Sequence, residues 1–383
     1  MIRRSRLLHT IAVVLALSGC SALPRQTFSR IDQEQALPVG FGSVRQWADA
    51  PARDIAPTVV PQRPGAAGRI DVLALSGGGS GGAFAAGLLK GWTKSGRRPR
   101  FSIVTGVSTG ALIAPYAFLG PEYDGQLEQL YRSGTAASLN RLQDPLSMVS
   151  GNGLLDPAPL RRMIETRVDS DLLARIAAEY RQGRRLFIIT TNLDAQRPVL
   201  WDIGKIAASG RPESRKLVQH ILLASASIPA VYPPVLIRSQ VNGMALEEMH
   251  VDGSATMQFF LPVEALTHIK TRPRPENTHL WVIVNNTLPP EFDMTRQGTI
   301  AVASRSFMTL MKSHAQENAK VAQEVAQRAG FDFNLAFIDQ QVEYHPDRPF
   351  EHDYMDAVFA IGERQATSGG AWRKTIEDVR LRP

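Results

Sequence analysis

The chain of 383 residues contains a single cysteine, Cys20, so an intramolecular disulfide and a cysteine-based metal cluster are both excluded. The sequence also lacks a His-Glu-x-x-His motif and an EF-hand loop, which are common signatures of zinc and calcium sites. We therefore expect no bound metal and no cofactor.

A strong excess of charge is also lacking. The 43 basic and 36 acidic residues give a formal charge of +7, and without the first 19 residues, which hold three arginines, the balance falls to 40 against 36. The arginine pairs Arg97–Arg98 and Arg184–Arg185 are short and have no interleaved aromatic residues. Nucleic-acid binding is therefore disfavoured, whereas contact with anionic lipid is compatible with the mild basic excess.

No apolar run at the N-terminus is long enough to span a bilayer. A basic start is followed by the run Leu7–Leu17, which ends in Leu17-Ser18-Gly19-Cys20. This ending resembles a bacterial lipobox, in which cleavage precedes Cys20 and the thiol is lipidated. Ser21, rather than Asp, resembles the signal for sorting to the outer membrane. The sequence thus predicts a signal peptide over residues 1–19 and a lipid-anchored lipoprotein of the bacterial cell envelope; the alternative is an ordinary secretory signal with an incidental cysteine.

The most informative motif is Gly106–Gly110, which reads Gly-x-Ser-x-Gly around Ser108. The preceding Phe101–Thr105 is apolar and favours a strand, and the following Ala111–Leu119 is apolar with helical character. A strand, a sharp turn and a helix are the context of a nucleophile elbow, which exposes the serine Oγ at the top of a sheet. The helix N-terminus would direct free N–H groups towards developing negative charge.

A second motif, the glycine loop Gly77–Gly82, lies one strand–helix unit upstream, between the predicted strand Ile70–Leu75 and a predicted helix. Its backbone N–H groups could stabilise an oxyanion. The same loop also matches the dinucleotide fingerprint Gly-x-Gly-x-x-Gly, which would indicate an oxidoreductase. That interpretation requires an acidic residue about 20 residues further on, and none occurs between Asp71 and Glu122, although nearby arginines could bind a 2′-phosphate. A Walker-type phosphate loop is excluded because no Gly-Lys-Ser/Thr follows.

The third motif, Asp252-Gly253, follows a run that favours a strand. Aspartate at a strand end, followed by glycine, can turn sharply and present its carboxylate at the top of the sheet. Taken alone, the dipeptide is also a common turn.

Together and in this order, the three motifs resemble the patatin-like phospholipase family. The resemblance spans about residues 70–290, with a weak extension at Tyr354–Ala357. Two positions depart from the family pattern, which often has Arg or Lys where Gly81 stands and Gly or Ala where Ser254 stands. Further supporting stretches are Gly153–Asp156, Thr191–Asp194 and Ala224–Pro234.

This resemblance implies a lipid acyl-ester hydrolase of the phospholipase A or lysophospholipase type with a Ser–Asp dyad. In that scheme Asp252 takes the proton of Ser108, Ser108 attacks the ester carbonyl, and water then hydrolyses the acyl-enzyme. The oxyanion donors implied by the resemblance are the amides of Gly77, Gly78, Gly79 and Thr109. The glycines that support the motifs are Gly82, Gly106, Gly110 and Gly253.

A histidine-containing triad is the mechanistic alternative, because sequence order does not exclude it. Asp194 or Asp202 could also serve as its acid, and His250 could share a strand face with Asp252. The histidines that follow Asp252, and so fit the hydrolase order of serine, acid and histidine, are His268, His279, His314, His345 and His352.

Strands alternating with helices indicate an α/β fold with a largely parallel sheet and helices on both faces. We expect a patatin-like catalytic domain over residues 69–383, after a proline-rich tether over residues 20–68 with one short packed segment near Val39–Trp47. The long helix Thr299–Ala329 has an apolar face that suits core packing or, alternatively, a lid. A third functional candidate is a catalytically weak lipoprotein that binds lipid in the same cleft.

Overall fold

The computed structural model describes residues 25–60, 68–133, 136–143, 153–268, 277–292, 294–295, 297–345 and 350–378. The predicted signal peptide and Cys20 lie outside these ranges, so both stay predictions.

Ten strands of the described residues form one sheet in the order β1-β7-β8-β5-β4-β3-β9-β10, with β6 paired to β5 and β2 paired to β6. The strands are β1 (Leu37–Pro38), β2 (Arg45–Trp47), β3 (Ile70–Leu75), β4 (Ile103–Val107), β5 (Arg185–Asn192), β6 (Arg197–Asp202), β7 (Val235–Val241), β8 (Met244–Asp252), β9 (Thr278–Val284) and β10 (Asp332–Phe337).

The centre of the sheet is parallel. Strands β5, β4, β3, β9 and β10 run in one direction, and every residue of β3, β4 and β5 is buried, as expected for strands covered on both faces. Strands β6, β7 and β8 extend the sheet with antiparallel pairing beside β5.

Helices cover both faces of the sheet, which confirms the predicted fold class. Along β3, Leu73 and Leu75 belong to one buried core, whereas Val72 and Ala74 belong to another on the opposite face. The helices within the described residues are α1 (Arg30–Gln35), α2 (Ala52–Val59), α3 (Gly82–Lys94), α4 (Thr109–Leu119), α5 (Asp124–Arg132), α6 (Pro157–Arg167), α7 (Ser170–Arg181), α8 (Ile203–Ala208), α9 (Ser214–Ser225), α10 (Val263–Thr267), α11 (Thr299–Ala329) and α12 (His352–Ser368).

We call the described residues 25–60 the N-terminal strap; the predicted tether is wrong for most of it, although the packed segment expected near Val39–Trp47 contains β2. These residues form two helices and two short strands that pack on the sheet, with β1 paired to β7 and β2 paired to β6. The prolines do not prevent this packing. Pro38 lies in β1 at the edge of the sheet, and Pro51 immediately precedes α2.

A buried ion pair joins the strap to β8. Arg45 Nη1 lies 2.5 Å from Glu248 Oε2 and Nη2 lies 2.9 Å from Oε1, with the two side chains 7% and 0% exposed. Ser239 Oγ donates a further hydrogen bond of 2.7 Å to the same carboxylate, and Arg45 Nη2 donates to the carbonyl of Ala36 at 3.1 Å. Because Glu248 has no access to water, Arg45 of the strap provides the compensating positive charge.

We predict that Arg45→Met lowers the free energy of unfolding by about 3–5 kcal/mol, because it leaves a buried carboxylate without its cation. Urea unfolding followed by tryptophan fluorescence measures this change. Arg53→Met, at an exposed position of α2, is the matched control and should change the midpoint little. An Arg45→Met protein as stable as the parent would contradict the packed strap.

Candidate active site

The strand register brings Ser108 and Asp252 to one level of the sheet. Val107, the last residue of β4, pairs with Ile189 of β5, and the next residue of β5, Thr190, pairs with Asp252 of β8. Both candidate residues therefore lie at the carboxyl edge of the parallel strands.

Ser108 occupies a sharp turn between β4 and α4. Its φ is +53° and its ψ is −123°, a backbone conformation that L-residues rarely adopt and that occurs mainly at functional turns. The flanking glycines are required by close approach of the backbone. A Cβ at Gly106 would collide with the carbonyl of Gly110, and a Cβ at Gly110 would collide with the carbonyl of Leu75. The turn thus has the geometry predicted for a nucleophile elbow.

The two side chains are in direct contact. Ser108 Oγ donates a hydrogen bond of 2.5 Å to Asp252 Oδ2, with the residues 3% and 1% exposed. The other carboxylate oxygen, Oδ1, accepts from the backbone N–H of Ser254 at 2.8 Å. The Ser108 hydroxyl and the Ser254 amide thus donate to this carboxylate, and no cation forms an ion pair with it among the described residues.

Two serines from the end of α9 and the loop after it hold this pair in place. Ser225 Oγ accepts from the N–H of Ser108 at 3.0 Å and donates to the carbonyl of Ile189 at 2.6 Å. The carbonyl of Ser227 accepts from the N–H of Asp252 at 2.9 Å. These contacts give Ser225 and Ser227, two residues of the supporting stretch Ala224–Pro234, a structural role beside the site.

Burial raises the pKa of Asp252 to about 6, and the hydrogen bonds from Ser108 and Ser254 oppose that rise only in part. A carboxylate with this pKa is ionised at neutral pH and is a better proton acceptor than an ordinary aspartate.

The glycine loop approaches the elbow from β3, but one predicted oxyanion donor is wrong. The N–H of Gly77 donates to the carbonyl of Gln258 at 3.1 Å, and an amide with a single hydrogen cannot also face the site. The N–H groups of Gly78 and Gly79 form no hydrogen bond with other described residues. Thr109 is the first residue of α4, so its N–H has no intrahelical acceptor.

Asn285, at the carboxyl end of β9, fixes the shape of the loop, and the sequence analysis missed it. Its Nδ2 donates to the carbonyl of Ser76 at 2.8 Å, and its backbone N–H donates to Ser76 Oγ at 2.9 Å. Its Oδ1 accepts from the N–H of Ala85 in α3 at 3.2 Å. A Cβ at Gly78 or at Gly81 would collide with the Asn285 carbonyl. Gly81, which stands where the family often has Arg or Lys, is therefore the residue that this close contact requires.

The remaining supporting glycines are also packed tightly. A Cβ at Gly82 would collide with Thr109 Oγ1, and a Cβ at Gly253 would come too close to the carbonyl of Ile189. The other departing residue, Ser254, has a buried hydroxyl without a partner among the described residues, directly beside Gly77.

No described histidine forms a hydrogen bond with Ser108 or Asp252. His250 is fully buried, its Nδ1 lies 2.9 Å from Thr190 Oγ1, and burial lowers its pKa to about 3, so it stays neutral. Two other histidines lie against acidic residues elsewhere: His279 on Asp332, and His345 on Glu351.

The two acids considered for a triad are also engaged elsewhere. Asp194 pairs with Arg25, and Asp202 caps the N-terminus of α8. The structure therefore does not assemble a Ser–His–acid triad from the described residues.

Across the described ranges, no group of three or more residues with metal-binding side chains is close enough to hold an ion. Within the same ranges, no helix has the length and apolar character needed to cross a membrane.

The fold and the site together define a class of protein: an α/β protein in which an elbow serine lies beside a buried carboxylate. The family description "Patatin-like phospholipase" matches residues 73–266, just over half of the chain. The chain therefore belongs to the patatin-like phospholipase family, and this membership supports lipid acyl hydrolase activity.

Other comparisons add little. No curated protein matches the chain. Among solved structures, the chain is similar to VipD from Legionella pneumophila, with 10% identity over 77% of this chain and 67% of that chain. The TM-score of this match is 0.33.

We predict that kcat/KM for a soluble ester rises with pH and levels off above about 6, because only the ionised form of Asp252 can accept a proton. A rate profile between pH 4 and 9 tests this. A profile that is flat through pH 6 would contradict Asp252 as the base.

The stability of Asp252→Asn gives a second measure of the same pKa. The folded value lies above the ordinary value of 3.8, so the parent loses stability as pH rises from about 4 to about 6, and the loss is constant above that. Asparagine removes the buried charge. The variant should therefore be more stable than the parent at pH 7, by up to about 3 kcal/mol, and no more stable at pH 4 or below.

Proposed function

We propose that this protein is a serine acyl-ester hydrolase of the phospholipase A or lysophospholipase type, with Ser108 as nucleophile and Asp252 as general base. The observation that carries the proposal is the 2.5 Å hydrogen bond between these two buried side chains. Membership in a family of lipid acyl hydrolases supports the substrate class.

In the first half of the reaction, Asp252 accepts the proton of Ser108 while Oγ bonds to the carbonyl carbon of the lipid ester. The resulting oxyanion is held by the N–H groups of Gly78, Gly79 and Thr109, beside the positive end of the α4 dipole. When the tetrahedral intermediate collapses, the bond to the alcohol breaks, and the leaving oxygen takes the proton from Asp252. The fatty acyl group remains as an ester on Ser108.

In the second half, water replaces the alcohol. Asp252 accepts a proton from water, the hydroxide oxygen attacks the acyl carbon, and the same N–H groups hold the second oxyanion. Collapse breaks the bond to Ser108 Oγ, which recovers its proton from Asp252, and a fatty acid leaves. A carboxylate with a pKa of about 6 suits both directions of transfer, since it accepts and returns the proton near neutral pH.

The two other functional candidates have less support. The oxidoreductase interpretation depends on the glycine loop alone, whereas family membership covers the loop, the elbow and the aspartate together. The catalytically weak lipid binder differs from the proposal only in turnover, so a test of covalent reactivity and hydrolysis separates them.

We predict that Ser108→Ala and Asp252→Asn each abolish ester hydrolysis in a folded protein, and that Ser108→Ala also abolishes labelling by a fluorophosphonate. The reason is that each variant removes one partner of the proton transfer. Ser133→Ala, at an exposed serine, is the matched control and should keep full turnover.

The same assay separates the dyad from a triad. We predict that replacing any one of six histidines leaves substantial turnover. A histidine variant that is folded but as inactive as Ser108→Ala would contradict the dyad. The six are His250, His268, His279, His314, His345 and His352.

We further propose that a lipid on Cys20 anchors the protein to the bacterial envelope, at the outer membrane. The basic start, the short apolar run and the sequence Leu17–Cys20 support this. One acyl chain binds a membrane only marginally, so a cysteine with two or three chains is needed for stable retention.

We predict that Cys20→Ser releases the protein from the membrane fraction or blocks its processing, whereas Ser21→Ala leaves it membrane-bound. Fractionation and incorporation of labelled fatty acid measure this. A parent that incorporates no label, together with a Cys20→Ser protein retained like the parent, would contradict the anchor.

A further inference from the structure

We propose that the carboxyl edge of the sheet is a membrane-contacting face, turned towards the bilayer that holds the Cys20 anchor. The protein would then hydrolyse lipids of its own membrane, in cis. Hydrolysis in cis rests on the proposed function and on the proposed anchor at Cys20. The membrane-contacting face rests on contacts of the described residues.

The strap begins at this edge. Arg25 forms a bidentate pair with Asp194, at 2.6 and 2.8 Å, and donates to the carbonyl of Glu247 at 2.8 Å. The N–H of Met249 donates to Asp194 at 3.0 Å. Asp194 lies in the turn after β5, four residues beyond Thr190, which is level with the dyad. The docked end of the strap is therefore about 10 Å or more past the dyad, on the same side of the sheet.

The docked Arg25 sets the distance to the bilayer. Cys20 is five residues earlier, and five residues span at most about 18 Å. A free tether over residues 20–68 would have allowed any orientation of the domain. With the strap packed, an anchored Cys20 holds the docked Arg25 within roughly 18 Å of the lipid headgroups, and the dyad lies about 10 Å further along the sheet.

Helix α11 extends past the same edge on the other side of the dyad. Asn318 Oδ1 accepts from the N–H of Gln258 at 3.1 Å, and the carbonyl of Gln258 binds the glycine loop, so Asn318 is level with the site. Because α11 connects β9 to the parallel β10, its N-terminus lies towards the carboxyl edge. The part before Asn318, Thr299–Glu317, is about 28 Å long.

The loop that leads into α11 is fixed against this extension. Lys312 Nζ donates to Thr287 Oγ1 at 2.7 Å, to the carbonyl of Pro289 at 3.1 Å and to Glu291 Oε2 at 2.6 Å. Gln316 donates to the carbonyl of Leu288 at 2.5 Å. The loop is thereby held along the helix, beyond the end of β9.

Two large apolar side chains near the end of this loop, in the sequence Glu291-Phe292-Asp293-Met294, are exposed. Phe292 and Met294, which we call the apolar tip, are 89% and 83% exposed, and Leu310 on α11 is 69% exposed. On the strap side, α1 lies at the same edge, because Gln33 Nε2 donates to Asn192 Oδ1 at the end of β5, and Ile31 of this helix is 65% exposed. Large apolar side chains on both sides of the dyad, at one edge, are suited to insertion between lipid headgroups.

The first test is binding without hydrolysis. The protein is produced from residue 20 onwards, without the predicted signal peptide and with Cys20→Ser, and is floated with vesicles of phosphatidylethanolamine and phosphatidylglycerol. Without the lipid anchor we expect weak, reversible binding, which falls about tenfold or more when Phe292→Asp and Met294→Asp are combined. Val321→Asp, at an exposed position of α11 on the other side of Asn318, is the matched control and should bind like its parent. Equal binding with and without the apolar tip would overturn the proposed surface, whether or not the protein is an enzyme.

The second test measures direction. The lipidated protein is reconstituted in vesicles with one fluorescent phospholipid and mixed with protein-free vesicles that carry another. We expect hydrolysis at least tenfold faster in cis than in trans, and an apolar-tip variant that loses about tenfold of the cis rate but hydrolyses a p-nitrophenyl ester in solution like the parent. Equal cis and trans rates, or parallel loss of both activities in the apolar-tip variant, would overturn the inference. Failure of the proposed function is distinct, because the parent would then hydrolyse neither substrate while the binding test still decides the surface.

Discussion

Asp252 reaches Ser108 because β8 joins the parallel strands through only three paired positions, the last residues of β5. This short antiparallel ladder places Asp252 opposite Thr190, one residue past the level at which β4 ends. Further from the dyad, β8 leaves β5 and is held by β7 and by the strap instead. A displacement of β8 by one residue would turn the carboxylate to the other face, so both supports protect the position of the dyad.

Two buried carboxylates on β8 are treated differently, and the difference separates structure from chemistry. Glu248 lies against the guanidinium of Arg45 and a hydroxyl, which fixes it as part of the sheet. Asp252, four residues further, accepts hydrogen bonds from the Ser108 hydroxyl and the Ser254 amide, and burial raises its pKa to about 6. A cation is thus paired with the carboxylate that holds the strand, and none is paired with the carboxylate that moves a proton in the proposed mechanism.

The sequence predicted the core of the fold because that part has strong local signals. Helix α11 was predicted with its observed bounds, since Gly330 ends it with a φ of +72°. Strand β7 was not predicted, because its sequence does not alternate cleanly: the polar Ser239 is buried and the apolar Leu236 is exposed. Asn285 was missed because no sequence motif surrounds it. The Gly77 prediction failed because the glycine motif does not show which backbone N–H groups face the site. The strap was misread because composition reveals prolines but not an ion pair between residues 203 positions apart.

That sequence separation also constrains the order of assembly. The strap is among the first parts of the chain to be synthesised, yet its partners in β6, β7 and β8 come roughly 150 to 200 residues later. Contacts this distant form slowly, because a long loop must close before any of them stabilises the fold. Arg45 must therefore remain solvated until β8 has been made and delivered, so a chain exported N-terminus first would keep its earliest segment accessible to chaperones and proteases until about two-thirds of the chain had been translocated.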